Sequence, residues 1–169
     1  TACTACTTGY TTTDGKATGA ISLSECNTCA AGYGGITVSD GNSGCTICAA
    51  GYYKATASNV ECTACTTGYT TAGGTTTGAT ALNQCNTCAV GYGGTTVTGG
   101  NSGCTICGAG YYKATDSNVE CTQCATGYTT SVGTMAGSTA ASACNICSVG
   151  YYGSSVTPNV SGCSACNAG

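Results

Sequence analysis

The sequence contains no His, Trp, Phe or Arg, one Pro and three Lys among its 169 residues. Without His, neither a Ser-His-Asp triad nor a Cys-His pair can form. Three Lys (Lys16, Lys54, Lys113) against six acids leave no basic patch to neutralise phosphates, which argues against nucleic-acid binding. There is no polybasic or amphipathic stretch to hold a membrane surface, and no apolar run of about 18 residues to span a bilayer. Aliphatic residues are scarce as well: 2 Leu, 5 Ile and 9 Val, or 16 of 169. So little apolar surface cannot offset the conformational entropy lost on folding, and by core-building alone the chain would be disordered. The acids Asp14, Glu25, Asp40, Glu61, Asp116 and Glu120 are isolated in loops, too sparse for paired general acids or a calcium site. No catalytic, cofactor-binding or metal-binding residue is assigned, and the chain is not expected to be an enzyme.

What is abundant is cysteine, glycine and threonine: 18 Cys, 28 Gly and 34 Thr. A coreless chain with more than a tenth of its residues Cys is a disulfide scaffold, and disulfides persist in oxidising compartments. The expected location is therefore extracellular or at the cell surface.

The cysteines form nine C-x-x-C pairs: Cys3/Cys6, Cys26/Cys29, Cys45/Cys48, Cys62/Cys65, Cys85/Cys88, Cys104/Cys107, Cys121/Cys124, Cys144/Cys147 and Cys163/Cys166. The steps between pairs are 23, 19 and 17 residues, then the same again, which makes a 59-residue period. Residues 3–59 match residues 62–118 at 43 of 57 positions without a gap. The division is thus 1–59, 60–118 and a truncated third copy, 119–169. No signal peptide opens the sequence, and both ends cut through a repeat, so we read it as a segment of a longer chain. Any leader or anchor would lie outside it.

Eight of the nine pairs are followed by x-x-Gly-Tyr, with Tyr10, Tyr33, Tyr52, Tyr69, Tyr92, Tyr111, Tyr128 and Tyr151. Tyr53, Tyr112 and Tyr152 extend three of these to Tyr-Tyr. Gly permits a left-handed turn just after the cysteine pair. The Tyr ring can then cover a disulfide or the neighbouring unit, with its hydroxyl left in water. The loops between pairs hold 19, 15 or 13 residues. Turn signals at Asp14-Gly15, Asp40-Gly41-Asn42 and Gly99-Gly100-Asn101, with the flanking runs Ile36-Thr37-Val38 and Thr95-Thr96-Val97, predict short β-hairpins. Lys54 with Glu61, and Lys113 with Glu120, are expected to pair across each short loop.

C-x-x-C, a loop, then C-x-x-C also describes a zinc site. A four-Cys site uses two pairs, however, and each period holds three. The odd number favours a relay in which each pair sends one sulfur back and one forward: Cys6 to Cys26, Cys29 to Cys45, Cys48 to Cys62, and onward. A bridge inside each C-x-x-C also suits the period but leaves the loops untied. Such a relay makes an extended rod or solenoid of short β-hairpins and loops, with little helix and no large hydrophobic core.

The hydroxyls suggest glycans. O-linked candidates are Thr11, Thr12, Thr13, Thr70, Thr71, Thr75, Thr76, Thr77, Thr129 and Thr130, and Asn159-Val160-Ser161 is an N-linked sequon.

The strings CTACTTGYTTTDGKATG, ECNTCAAGYGG and CTICAAGYYKATASNVECTAC resemble the cysteine-periodic surface antigens of ciliates, including the immobilization antigens. More distantly, C-x-x-C-x-x-G-Y-Y resembles ephrin-receptor-like and growth-factor-receptor cysteine-rich repeats and the variant surface proteins of Giardia. The ciliate resemblance implies a secreted, usually lipid-anchored coat protein. Three function classes follow: a structural surface-coat or fibril protein that displays glycosylated loops and self-associates, an adhesive or ligand-binding ectodomain, and a zinc-binding C-x-x-C protein.

Overall fold

Each Gly-Tyr builds one tight turn. The Tyr N–H donates to the carbonyl three residues earlier, as from Tyr33 to Ala30 (3.1 Å) and from Tyr52 to Ala49 (3.1 Å). The Gly then sits at the third position of the turn, where φ must be positive. All eight such glycines have φ between 79° (Gly91) and 91° (Gly9). An L side chain there is strained by about 1–2 kcal/mol, but the glycines differ in the space around them. A Cβ on Gly51 would meet only the Thr70 Oγ1, at 3.4 Å, whereas one on Gly32 would lie 2.6 Å from the Gly78 carbonyl oxygen. Thermal melts should therefore show Gly51→Ala losing only the strain, and Gly32→Ala losing clearly more.

The computed structural model describes residues 5–13, 20–39, 43–130 and 137–167. Cys3, Asp14, Gly15, Lys16, Asp40, Gly41 and Asn42 lie outside the described residues. The chain divides into two units, Thr1–Asn86 and Thr87–Gly169. That boundary falls inside the fifth cysteine pair and not at the end of a 59-residue copy.

In the first unit β1 (Tyr10–Thr11) pairs antiparallel with β2 (Thr28–Cys29). There β3 (Tyr33–Gly34) pairs with β4 (Thr46–Ile47), and β5 (Tyr52–Tyr53) with β6 (Thr63–Ala64). The strand β7 (Tyr69–Thr70) follows. The second unit opens with β8 (Thr87–Cys88). Its ladders join β9 (Tyr92–Gly93) to β10 (Thr105–Ile106), and β11 (Tyr111–Tyr112) to β12 (Thr122–Gln123). They also join β13 (Tyr128–Thr129) to β14 (Ile146–Cys147), and β15 (Tyr151–Tyr152) to β16 (Ser164–Ala165). One 3-10 turn precedes the closing cysteine of each 19-residue loop, at Leu23–Glu25, Leu82–Gln84 and Ala141–Ala143. Among the described residues no helix is long and apolar enough to cross a membrane.

The strands are not where the turn signals pointed. Ile36-Thr37-Val38 and Thr95-Thr96-Val97 form no strand, and single antiparallel bridges, Ser39–Ser43 and Thr98–Ser102, flank the turn signals. The ladders run instead from the Gly-Tyr turn to the residues at the next cysteine pair. The disulfide supplies the reason, because it brings these two stretches side by side whatever the loop between them prefers.

Register differs by loop class. Tyr33 faces Ile47, the residue before Cys48, whereas Tyr10 faces Cys29 itself, and Tyr128 faces Cys147. A one-residue slip turns the strand's side chains to the other face. The ladders of Tyr10 and Tyr128, across 19-residue loops, are therefore one residue out of step with that of Tyr33.

Among the described residues there is no aliphatic core. The buried apolar side chains among the described residues are eight cysteines (Cys26, Cys29, Cys48, Cys85, Cys88, Cys107, Cys124 and Cys144) with Ala79 and Tyr128. Ile21, Ile36 and Val149 stand exposed. Sulfur occupies the place that Leu and Val hold in an ordinary domain, with buried Thr and Lys beside it.

Candidate functional site

Among the described residues eight disulfides join Cys6 to Cys26, Cys29 to Cys45, Cys48 to Cys62, Cys65 to Cys85, Cys88 to Cys104, Cys107 to Cys121, Cys124 to Cys144 and Cys147 to Cys163. Each bond links the second cysteine of one pair to the first of the next. The separations of 20, 16 and 14 residues repeat with the sequence period. A sulfur held in such a bond has no thiolate to offer a metal. Cys166 is exposed and carries no bond.

Inside this frame one position sorts the units. It is the second residue after each Gly-Tyr glycine's tyrosine. In the 19-residue loops it is Thr12, Thr71 and Thr130; in the 15-residue loops Gly35, Gly94 and Gly153; in the 13-residue loops Lys54 and Lys113. Each residue type meets a distinct need. A Cβ on Gly35 would lie 1.8 Å from the Gly44 carbonyl oxygen, so only Gly fits there. Thr71 is wholly buried; its hydroxyl accepts from Gly51 N–H (3.1 Å) and donates to the Thr76 carbonyl (2.6 Å). Thr130 repeats the first contact with Gly110 (3.1 Å).

The lysines are the unexpected members. Lys54 and Lys113 are only 4% and 2% exposed. The Lys54 ammonium donates to the carbonyls of Ser58 (2.5 Å), Tyr33 (2.8 Å) and Cys29 (3.4 Å). Lys113 donates to the carbonyls of Ser117 (2.6 Å) and Tyr92 (3.0 Å). Each ammonium thus ties a short loop back onto the 15-residue loop before it. Asn59 works beside it: its Oδ1 accepts from Cys29 N–H (2.9 Å), and its Nδ2 donates to the Asn27 carbonyl (2.8 Å). Asn118 accepts from Cys88 N–H in the same way (2.9 Å). For Lys54 the expected pair with Glu61 gives way to this arrangement, because Glu61 lies exposed while the ammonium turns inward; Glu120 still acts on Lys113 through its charge. Aligning the units on Gly-Tyr would have exposed the Thr/Gly/Lys rule, but not that the lysine is buried.

Burial disfavours the charged form, so the pKa of both lysines falls below the ordinary lysine value. For Lys113 the negative charges of Asp116 and Glu120 partly offset this. The first copy has Ala57 where the second has Asp116. Asp116→Ala should therefore lower the Lys113 pKa, and Ala57→Asp should raise that of Lys54; an NMR titration of the side-chain amines checks both. The unfolded chain binds more protons than the folded one between the lowered pKa and 10.5. This contribution to stability therefore grows as pH rises through that window and is absent at neutral pH.

The other candidate residues are placed unevenly. Thr13, Thr75, Thr76 and Thr77 are exposed; Thr11, Thr12, Thr129 and Asn159 are half-buried. Thr70, Thr71 and Thr130 are buried, and the hydroxyls of Thr71 and Thr130 are taken up by internal hydrogen bonds. Asn159 has φ 58°, and its Oδ1 accepts from Ala125 N–H (2.5 Å).

Among the tyrosines, the Tyr33 ring lies against Gly9 and the Tyr151 ring against Gly127, where a Cβ would stand 2.7 Å from the ring. Tyr128 is buried against the Cys124 and Cys144 side chains. Tyr10, Tyr69 and Tyr92 are half-buried, whereas Tyr52, Tyr111 and Tyr152 are exposed. Not every hydroxyl stays in water: Tyr10 accepts from Cys45 N–H (3.2 Å), and Tyr128 from Cys163 N–H (3.3 Å).

No curated protein and no solved structure matches the chain. A family model does, described as tyrosine-protein kinase ephrin type A/B receptor-like, over residues 35–85 and 94–144. The two matched stretches lie one 59-residue period apart and together cover more than half the chain. With its disulfide-bonded tandem C-x-x-C repeats, the chain belongs to the ephrin-receptor-like family of cysteine-rich repeats.

Proposed function

We propose that the chain is a structural protein of an extracellular surface, a coat or fibril whose disulfide-bonded repeats display hydroxyl-rich, glycosylated loops. The observation that carries this reading is the interior itself. Eight bonds and their sulfurs replace an aliphatic core, and such a fold persists only where thiols stay oxidised. Family membership supports a cysteine-rich ectodomain. The exposed Thr75, Thr76 and Thr77 supply acceptors for O-linked sugar, and Asn159 one for N-linked sugar. Near-absent charge and repeated units suit lateral association of copies into a fibre or coat.

The test is made on native material. An antibody to the repeats should bind intact cells without permeabilisation. The intact mass should exceed that of the bare polypeptide and return to it on deglycosylation, with Asn159→Gln removing the N-linked part. Labelling only after permeabilisation would end the surface reading, and a bare-polypeptide mass would end the glycan reading.

A further inference from the structure

We infer that the fold keeps this chain covalently whole after an endoprotease cuts it. Between Cys6 and Cys163 every long loop is closed by one of the eight bonds. Hydrolysis of a peptide bond inside a loop adds one water and leaves both new ends tied through sulfur. No disulfide is broken or formed in that step. A single cut severs the chain only within a C-x-x-C, where the two internal residues belong to no closed loop.

The sequence and the ladders both guard these connectors. They are Asn27 with Thr28, Thr46 with Ile47, Thr63 with Ala64, Asn86 with Thr87, Thr105 with Ile106, Thr122 with Gln123, and Asn145 with Ile146. None is Lys, Tyr, Leu, Met, Asp or Glu. Every residue of those types in the chain lies inside a disulfide-closed loop. Proteases that select a basic, aromatic, Leu or acidic side chain therefore find their specificity residues only where a cut is harmless to continuity. Four of the connectors are also strand dipeptides, β4, β6, β10 and β12, held in antiparallel ladders; the other three enter a strand only at their second residue, Thr28, Thr87 or Ile146. A protease binds its substrate as an extended segment with free backbone groups, so a laddered segment must first open. Two of the three lysines have a further layer of cover, since Lys54 and Lys113 are buried with their ammonium groups bound.

The use of this property rests on the extracellular reading, but its test does not, so the two fail separately. Val149 is fully exposed inside the Cys147–Cys163 loop, and Thr105 lies in a connector. Native Val149→Lys and Thr105→Lys are each digested with trypsin and run with and without reductant. The Val149→Lys chain should be cut yet remain one species, heavier by one water per cut, and fall apart only on reduction. The Thr105→Lys connector should be cut roughly tenfold or more slowly than Val149→Lys. Release of fragments from Val149→Lys without reductant would overturn the inference, as would equal cutting rates at the two sites.

Discussion

Replacing Lys54 by Met should destabilise the first unit by about 3 kcal/mol, far more than any change at Glu61. Met keeps the apolar stem but removes the ammonium that three carbonyls share. The Tyr33 and Ser58 carbonyls then lose a charged donor in a site that admits little water. A buried polar group left without its partner costs about 1–3 kcal/mol, and a broken contact to a charge lies at the upper end. Arg should not rescue the site, because a planar guanidinium cannot take the place of a compact ammonium with three donors. Glu61→Gln should change stability by no more than about 0.5 kcal/mol, as an exposed substitution does. Denaturant unfolding of the three variants separates the carbonyl cage from a surface ion pair. A large loss at Glu61 with a small one at Lys54 would invert the assignment.

Removing the Cys48–Cys62 bond by a double change to Ser should cost a further amount of similar size. Closing a loop of this length restricts the unfolded chain by about 3 kcal/mol, and Cys48 is only 1% exposed, so a hydroxyl replaces a buried sulfur. The damage should stay local. The neighbouring bonds Cys29–Cys45 and Cys65–Cys85 do not depend on it for closure. Hydrogen exchange should speed up over residues 49–61 and at Gly35, whose N–H donates to the Val60 carbonyl (3.1 Å). Protection around Cys6–Cys26 should persist. Loss of protection throughout the first unit would show that its loops fold as one cooperative body, against the local logic of a repeat.

These two expectations draw on different depths of information. The cysteine spacing is legible in the sequence because a covalent bond acts on chain geometry without regard to what surrounds it. An odd number of pairs per 59 residues restricts how pairs can be joined in phase. The Gly-Tyr turn is legible for a similar reason: positive φ is a property of one residue, and glycine tolerates it. The lack of a core follows from composition, which fixes how much apolar surface exists to be buried.

What the sequence by itself determined, then, is the disulfide-rich repeat architecture, its period and its turns. Only the tertiary structure decided which polar groups go inside. Lys54 looks like a loop-surface lysine until Cys29, Tyr33 and Ser58 bring their carbonyls around it from up to 25 residues away. Thr71 and Thr130 look like members of an exposed threonine tract until glycine N–H groups 20 residues earlier claim their hydroxyls. The tyrosine hydroxyls of Tyr10 and Tyr128 reach a backbone N–H 35 residues on. The common reason is that a disulfide-tied chain with few aliphatic residues still has an inside. Its buried carbonyls and N–H groups need partners, and the side chains that supply them are chosen by where neighbouring units lie, which local composition does not encode.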